Sequence, residues 1–277
     1  MERVFININL DGSEVMEKEI KNIILTIEDK IATIILNRPQ AMNALCDDLN
    51  NDIIEAINIV NEDHTVRVLI ITGNSKSFAA GADIKEMMNA NQFDAERTAK
   101  KAHYINDTLE SLPIPVIAAI NGPALGGGCE IALSCDFRIA GEKSMFGLPE
   151  VGLGIIPGAG GSQRLTKIIG PAKAKEIVMA GKIVRGKEAY EIGLVTKCVH
   201  DEEVMNEAVS LAKKLCEKPA ASLQYAKLAI NYAVDNDINT GKKFEKYLFS
   251  LCFETEDQKE GMKAFTEKRN PNFTHKR

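Results

Sequence analysis

The sequence predicts an α/β protein, with a layered core over residues 16–200 and a helical segment over residues 201–277. The first supporting observation is a repeated pattern of a buried strand, a glycine-bearing loop and a helix. It occurs after residues 66–73 (VRVLIITG) and again after residues 116–122 (VIAAING). The second is the helical periodicity of almost the whole C-terminal segment. The pattern fits a spiral of strand–strand–helix units and a doubly wound sheet equally well.

Composition and charge narrow the class of protein. The chain has 277 residues, of which 45% are hydrophobic and 26% are charged, as in a globular protein with a substantial core. A net charge of −5 disfavours a nucleic-acid-binding surface. No run approaches the roughly 18 apolar residues of a membrane-spanning helix. The first residues also lack the basic and apolar regions of a secretory signal.

The cysteines predict a reducing compartment. The six cysteines form no CxxC pair and no metal-like spacing with the four histidines. We therefore expect free thiols in a cytoplasmic protein, without a metal site. The histidines, at positions 64, 103, 200 and 275, are expected on the surface.

The first 15 residues look detached from the rest of the chain. They end at a second methionine, Met16, and the codons of Glu14 and Val15 can be read as GAGGTN, which resembles a ribosome-binding site. We therefore expect the native protein to begin at Met16. Residues 1–15 would then be a non-native or poorly ordered leader.

The first elements of the core are a hairpin and a helix. Residues 23–36 alternate as in a β-hairpin, with the turn at residues 28–30. Pro39 lies in the segment that ends the second strand. Asn43 is predicted to cap a helix that continues to about Val60, because apolar residues then recur at helical spacing.

The later elements follow from turn residues and periodicity. A helix is expected from about Asp83, and another over residues 95–112, where Pro113 and Pro115 stop it. A short helix follows the three glycines at 126–128, and a strand follows at residues 136–140. Four helices are predicted in the C-terminal segment, over residues 201–217, 219–234, 237–252 and 256–268.

Two glycine-bearing loops could donate hydrogen bonds from the main chain. Gly126, Gly127 and Gly128 lie at a helix start, where the first N–H groups have no internal partner and the helix dipole favours an anion. Small residues at 77–84 likewise separate a buried strand from a helix. One N–H from each loop could meet at a single carbonyl oxygen as an oxyanion hole. The alternative is two unrelated tight turns.

Two carboxylates lie in apolar stretches of the sequence. Glu130 follows the glycines at helical spacing, and Glu150 lies in the segment FGLPEVGLG. Carboxylates in such surroundings have raised pKa values and can exchange protons near neutrality. Each alone is compatible with a salt bridge or a cap, but two of them beside two donor loops favour acid/base catalysis. The sequence contains no Walker, GxGxxG, GxSxG or HExxH motif.

Four stretches of the sequence resemble the enoyl-CoA hydratase (crotonase) family, and in particular its bacterial short-chain hydratases. They are residues 78–88 (FAAGADIKEMM), 118–140 (AAINGPALGGGCEIALSCDFRIA), 146–165 (FGLPEVGLGIIPGAGGSQRL) and 255–269 (TEDQKEGMKAFTEKR). The likeness keeps the order of the motifs from about residue 20 onward. It implies a crotonase-like spiral of repeated ββα units, a helical C-terminal trimerisation segment, and hexamers built as dimers of trimers.

The resemblance also implies roles for individual residues. The N–H groups of Ala82 and Gly127 match the oxyanion donors for an acyl-CoA thioester. Glu130 matches the acid that positions and activates water, and Glu150 the acid that gives a proton to the α carbon. Gly158 matches a loop glycine near the water. The implied reaction is reversible hydration of short-chain trans-2-enoyl-CoA, with no cofactor because CoA is part of the substrate.

The resemblance further implies residues that bind CoA. Gln40 stands where family members often have a lysine that meets the CoA phosphates, so one cation is missing there. The expected contacts near the adenine end, or on the loop beside it, are Ala41, Ala80, Asp83 and Ile84. Phe249 and Lys268 match CoA contacts that come from a neighbouring subunit. Leu148 replaces a glutamine that is common in the family, and so removes a polar neighbour of Glu150.

Two other functions stay open at this point. One is a Δ3,Δ2-enoyl-CoA isomerase or another lyase of the crotonase type, although the presence of both glutamates favours a hydratase. The other is binding of AU-rich RNA, which some family members show. The acidic charge balance disfavours that role here.

Overall fold

The computed structural model describes residues 3–8, 14–74 and 76–276, with only the backbone described for the strand residues up to 19. The strands in these ranges are β1 (Arg3–Ile8), β2 (Glu14–Ile20), β3 (Ile23–Glu28), β4 (Ile31–Leu36), β5 (Val68–Thr72), β6 (Val116–Ile120), β7 (Pro123–Leu125), β8 (Phe137–Gly141), β9 (Met145–Gly147), β10 (Val184–Arg185) and β11 (Lys197–Val199).

The helices of the same ranges are α1 (Asp47–Glu62), α2 (Ile84–Met87), α3 (Gln92–Ser111), α4 (Gly127–Ser134), α5 (Gly161–Ile169), α6 (Pro171–Val178), α7 (Gly186–Glu191), α8 (Val204–Cys216), α9 (Ala220–Asp235), α10 (Ile238–Cys252) and α11 (Glu256–Glu267). Short 3₁₀ turns form at Pro39–Ala41, Pro149–Leu153 and Asp201–Glu203. No helix of the described ranges is long and apolar enough to cross a membrane.

The strands form two sheets. The larger has the order β1-β2-β3-β4-β5-β6-β8-β11, antiparallel from β1 to β4 and parallel from β4 onward, and the smaller has the order β10-β9-β7. Successive repeats, β6–β7 and β8–β9, each give one strand to the large sheet and the next to the small sheet. Of the two topologies that the sequence left open, this alternation matches the spiral of strand–strand–helix units.

The parallel strands are covered on both faces, which explains why their sequences are apolar throughout. Every residue of β6 is buried. One face, with Ile70 and Ile117, packs against Val204 and Ala208 of α8. The other face lies in the larger core, with α1 and α3. Because β5 and β6 are parallel neighbours, their carboxyl ends meet at one edge, and the loops that follow them lie together.

The predicted hairpin is confirmed as β3 and β4, but the predicted start of the first helix is wrong. The helix begins at Asp47, and the Cys46 side chain accepts from the N–H of Leu49. Asn43 instead has a left-handed backbone (φ 57°), and its buried amide donates to the carbonyls of Ser77 and Phe78 at 3.1 and 3.0 Å. The side chain therefore fastens the loop after β5 rather than capping a helix.

The other elements that the sequence predicts agree with the structure to within a few residues. The helix predicted over residues 95–112 begins earlier, at Gln92, because Asn91 and Asp94 form a capping box. The four C-terminal helices are confirmed as α8 to α11, with a 3₁₀ turn before the first. The predicted leader lies partly outside the described residues. Its described parts belong to β1 and β2, and the start at Met16 stays a prediction.

Candidate active site

The loop after β5 and the start of α4 are in direct backbone contact. The N–H groups of Phe78 and Ala79 both donate to the carbonyl of Pro123, at 3.1 and 3.0 Å. The N–H of Leu125 donates to the carbonyl of Ala79 at 3.0 Å. A Cβ on Gly128 would lie 2.2 Å from that carbonyl oxygen, so only glycine permits this approach.

The contact brings two main-chain donors together. A Cβ on Gly127 would lie 4.0 Å from the nitrogen of Ala82. Gly127 is the first residue of α4, where helical N–H groups point outward with the positive end of the dipole. Within the described part of the chain, no hydrogen bond uses the N–H of Ala82 or Gly127. The two predicted donors are therefore close together and available to one acceptor.

Glu130 is a buried carboxylate with fixed hydrogen bonds. Its side chain projects from α4 and is 3% exposed. Its Oε1 accepts from the N–H groups of Ala159 and Gly161, both at 2.8 Å. Burial raises the pKa of Glu130, whereas these two N–H groups lower it. Gly161 begins α5, whose dipole also favours a negative charge at this position.

Glu150 differs from Glu130 because one of its carboxyl oxygens is buried without a hydrogen-bond partner among the described residues. It lies in the 3₁₀ turn Pro149–Leu153, and burial raises its pKa to about 7. Its Oε2 is buried and has no hydrogen-bond partner among the described residues. The negative charge of Glu130 makes a smaller contribution in the same direction.

The carboxyl of Glu150 adjoins the donor loops. A Cβ on Gly126 would lie 3.2 Å from Glu150 Oε1 and 3.5 Å from the Cα of Gly81. Both glycines have positive φ angles, 50° and 99°, which residues with a Cβ rarely adopt. Gly126 therefore leaves room for the carboxyl directly beside Gly127. This arrangement would allow each glutamate to transfer one proton while the two main-chain N–H groups stabilise an oxyanion.

Most of the predicted CoA-binding residues lie on, or next to, the loop that carries Ala82. Gln40 and Ala41 are in the 3₁₀ turn Pro39–Ala41, which runs beside the loop after β5. The N–H of Ala80 donates to the carbonyl of Met42 at 3.1 Å, next to Ala41. The loop continues to Asp83, which caps α2, and to Ile84, which is largely exposed.

Three predicted residues are not joined to this group. Gly158 is exposed and precedes Ala159, and a Cβ there would meet nothing within 4 Å. Phe249 lies on α10, and Lys268 follows α11 with a left-handed backbone. No hydrogen bond or ion pair among the described residues links either one to the glutamates or to the donor loops.

The sequence reasoning missed the ion pair that holds the first donor loop. Arg38 Nη1 donates to Asp83 Oδ2 at 2.8 Å and to the carbonyl of Ala44 at 2.9 Å. The N–H of Asp83 donates in turn to the carbonyl of Leu45 at 2.9 Å. The sequence alone does not predict this pair, because no spacing rule connects Arg38 to a residue 45 positions later.

Leu148 precedes Glu150 by two positions in the sequence, and its side chain lies close to Glu130 in the structure. A Cβ on Gly161 would be 3.0 Å from Leu148 Cδ1 and 2.9 Å from Glu130 Oε1. Leu148 is fully buried, so it forms an apolar wall beside this carboxylate. The described residues contain no group of three or more His, Cys, Asp or Glu side chains able to hold a metal ion.

Comparisons with known proteins show which family this chain resembles over most of its length. Residues 26–276 match the family model for enoyl-CoA hydratase/isomerase. The crotonyl-CoA hydratase of Syntrophomonas wolfei is 46% identical over 257 residues, 92% of this chain and 99% of that protein. The short-chain-enoyl-CoA hydratase of Clostridium acetobutylicum is 45% identical over 252 residues, 91% of this chain and 97% of that protein.

Solved structures show the same fold. An enoyl-CoA hydratase from Bacillus anthracis has a TM-score of 0.89 and 38% identity, covering 92% of this chain and 100% of that one. A structure from Geobacillus kaustophilus also has a TM-score of 0.89, with 43% identity and coverage of 93% and 100%. These likenesses confirm the predicted crotonase-like fold class. The chain belongs to the enoyl-CoA hydratase/isomerase family.

Proposed function

We propose that this chain is a hydro-lyase that reversibly hydrates short-chain trans-2-enoyl-CoA thioesters, among them crotonyl-CoA to 3-hydroxybutyryl-CoA. One observation carries the proposal: two carboxyl groups in different surroundings adjoin two unpaired main-chain donors. The substrate class is supported by the relatives named crotonyl-CoA hydratase and short-chain-enoyl-CoA hydratase. CoA enters as part of the substrate, and the proposed chemistry uses no separate cofactor.

The oxyanion hole lowers the barrier to addition at the double bond. When water attacks the β carbon, the electron pair of the double bond moves toward the thioester carbonyl and leaves negative charge on its oxygen. The N–H groups of Ala82 and Gly127 donate to that oxygen. Donors that are already in place stabilise the developing charge without reorganisation, and each is worth about 2.7–4 kcal/mol.

Each of the two glutamates transfers one proton. Ionised Glu130 accepts a proton from the attacking water, whose oxygen bonds to the β carbon, while protonated Glu150 gives its proton to the α carbon. The product leaves Glu130 protonated and Glu150 ionised, and exchange with solvent restores the first state. Dehydration runs the same steps backward. In both directions the pair holds one proton, which matches their different surroundings.

The remaining predicted contacts complete the proposed substrate site. Gly158 would lie near the attacking water, because it directly precedes Ala159, whose N–H donates to Glu130. CoA would bind along the loop that carries Ala82, where it would contact Gln40, Ala41, Ala80, Asp83 and Ile84. Phe249 and Lys268 would contact CoA from a neighbouring subunit.

We also propose that the chain assembles as a hexamer, a dimer of trimers, through its C-terminal helices. Several large apolar side chains of these helices are exposed in the single chain, including Ile230 (66%), Phe249 (64%) and Phe265 (85%). Exposed apolar surface on this scale is typical of an interface. A cytoplasmic location is supported by the cysteines, all six of which are free thiols.

The test follows crotonyl-CoA by its absorbance with wild type, Glu130→Gln and Glu150→Gln. We expect wild type to hydrate it, and each substitution to lower kcat by about 10²–10⁴-fold while the variant remains folded. Full activity in either variant would remove that residue from the proposed mechanism. If wild type instead moved the double bond of a 3-enoyl-CoA without adding water, the isomerase alternative would replace the hydratase.

A further inference from the structure

Residues 159–161 form a turn whose N–H groups hold Glu130, and this turn is itself held by α3. Ala159 donates its N–H to Glu130 Oε1, and its carbonyl accepts from Asn106 Nδ2 at 2.9 Å. The same carbonyl accepts from Arg164 Nη1 at 3.2 Å. One residue of the turn therefore contacts the candidate catalytic carboxylate on one side and two side-chain donors on the other.

Arg164 is fixed to the same helix as Asn106. Its Nε and Nη2 both donate to Glu110 Oε2, at 3.1 and 2.7 Å, and Nη2 also donates to Asp107 Oδ1 at 2.7 Å. The Arg164 side chain is only 12% exposed. Its partners lie on α3, so this helix fixes the turn at two points: directly through Asn106, and through the arginine at the start of α5.

The second N–H that holds Glu130 depends on the same turn. Gly161 donates to Glu130 Oε1, and the peptide before it carries the carbonyl of Gly160. That carbonyl accepts from the N–H groups of Gln163 and Arg164, at 3.1 and 2.9 Å. A rotation at Ala159 would move both donors away from Glu130, because only Gly160, with φ 93°, separates them.

We propose that Asn106, acting with Arg164 on the carbonyl of Ala159, is a positioning residue that holds Glu130 in place to activate water. The inference rests on the proposed role of Glu130. Neither side chain touches the substrate in this account, and both act through the turn.

The surroundings of Asn106 point to its bond with Ala159 rather than to packing. The side chain is 1% exposed, and Ile105 and Leu109 of the same helix belong to the core. Its Oδ1 is buried without a partner among the described residues. An unpaired buried oxygen is unfavourable, and leucine, which has a similar size, would avoid that cost. The benefit of the amide therefore lies in the donor that it gives to Ala159.

The charged groups that face Glu130 come from three elements. They are His103 of α3, Arg164 of α5 and Glu150 of the 3₁₀ turn. His103 is exposed, as predicted, but its Cε1 would be 3.7 Å from a Cβ on Gly160. None of them donates a hydrogen bond to Glu130 among the described contacts. The two turn N–H groups thus remain the direct stabilisation of its charge.

The experiment compares crotonyl-CoA hydration by wild type and Asn106→Leu across pH. The variant keeps the volume and removes the donor. We expect kcat to fall by about 10- to 100-fold, because a loosened turn misplaces the carboxylate, while KM changes less than about twofold. The acid limb of the profile should move to higher pH. Hydration requires ionised Glu130, and weaker donors raise its pKa, so activity is lost sooner as the pH falls.

A matched control separates positioning from stability. Asn50 is also buried, on α1, and no hydrogen bond among the described residues joins its side chain to the turn. Asn50→Leu should leave the acid limb where it is in wild type. If Asn106→Leu lowers only the melting temperature, as a structural residue would, and keeps kcat and the acid limb, the inference is overturned.

Two further variants decide the remaining outcomes. Arg164→Lys keeps the positive charge but cannot span both Ala159 and Glu110. It should therefore also lower kcat and move the acid limb to higher pH. If Asn106→Leu does not fold, Arg164→Lys provides the test in its place. Combined, the substitutions should reduce kcat by less than the product of the single losses, since both act on one oxygen. Fully multiplicative losses would contradict the shared role. Absence of hydration in wild type would instead refute the proposed function.

Discussion

Glu130 and Glu150 are neighbouring carboxyl groups, the first buried and the second partly buried, and of the two only Glu130 accepts hydrogen bonds from the turn at residues 159–161. Glu130 Oε1 accepts two N–H groups at 2.8 Å, whereas Glu150 Oε2 has no partner among the described residues. This difference lets one carboxyl hold a negative charge while the other holds a proton near neutrality.

The first prediction concerns the pH dependence of hydration. Glu150 must be protonated to give its proton to the α carbon, and its pKa is about 7. Activity should therefore fall as the pH rises through about 7. A profile of kcat/KM from about pH 5 to about pH 9 measures this limb, since it reports groups of the free enzyme. A flat profile across that range would show that Glu150 does not carry the proton.

The second prediction concerns stability. The pKa of Glu150 is raised from 4.5 in an ordinary environment to about 7 in the folded chain. The unfolded chain therefore releases this proton at lower pH, and wild type loses stability as the pH rises from about 4.5 to about 7. Glu150→Gln cannot ionise and should escape this loss.

The measurement is the melting temperature of both proteins. We expect Glu150→Gln to melt higher than wild type above about pH 8, with a smaller difference near pH 5. Lys182→Met, on an exposed surface ion pair, is a control that should show no such pH-dependent gain. An equal difference at both pH values would mean that burial does not disfavour the ionised form of Glu150.

The third prediction tests the donor at the start of α4. Gly127→Pro removes the N–H at the first helical position, where a helix tolerates proline. The kcat for hydration should fall by at least about 100-fold. Gly127→Ala is the matched variant, because it also places a Cβ 2.8 Å from Leu45 Cδ1 but keeps the N–H. It should retain clearly more activity than the proline variant, and equal losses would speak against an oxyanion donor.

The fourth prediction tests the ion pair that holds the other donor. Arg38→Met leaves Asp83 partly buried without its partner, so it should be more destabilising than Arg38→Met combined with Asp83→Asn. Both proteins should also lose kcat, because the loop that carries the N–H of Ala82 is no longer fixed. Thermal melting and hydration of the two single variants and the double variant complete the cycle. Additive effects would show that the pair is not coupled.

Local sequence rules located most of the predicted elements. They also singled out Gly126–Gly128 as a possible donor array at a helix start, and Glu130 as an acid in an apolar run that must be paired or functional. The resemblance to a known family then gave Gly127, Ala82 and Gly158 their expected roles. Asn43 was misread because its side chain satisfies carbonyls of a loop more than 30 residues away, and local capping rules ignore such partners.

The supporting contacts could not be predicted for the same reason. Arg38 meets Asp83, and Asn106 meets Ala159 across 53 residues, only after the sheets bring their elements together. The order of the strands was likewise undecided, because apolar runs do not record which of two sheets a strand joins. The alternation of β6–β7 and β8–β9 between the sheets supplied that answer.

The central claim is that one thioester and one water meet two amides and two glutamates. A crystal structure of Glu150→Gln with crotonyl-CoA tests it most directly. The account predicts the thioester oxygen about 3 Å from the nitrogens of both Ala82 and Gly127, with a water between Glu130 and the β carbon. A thioester oxygen outside the reach of both amides, or a β carbon remote from Glu130, would contradict it.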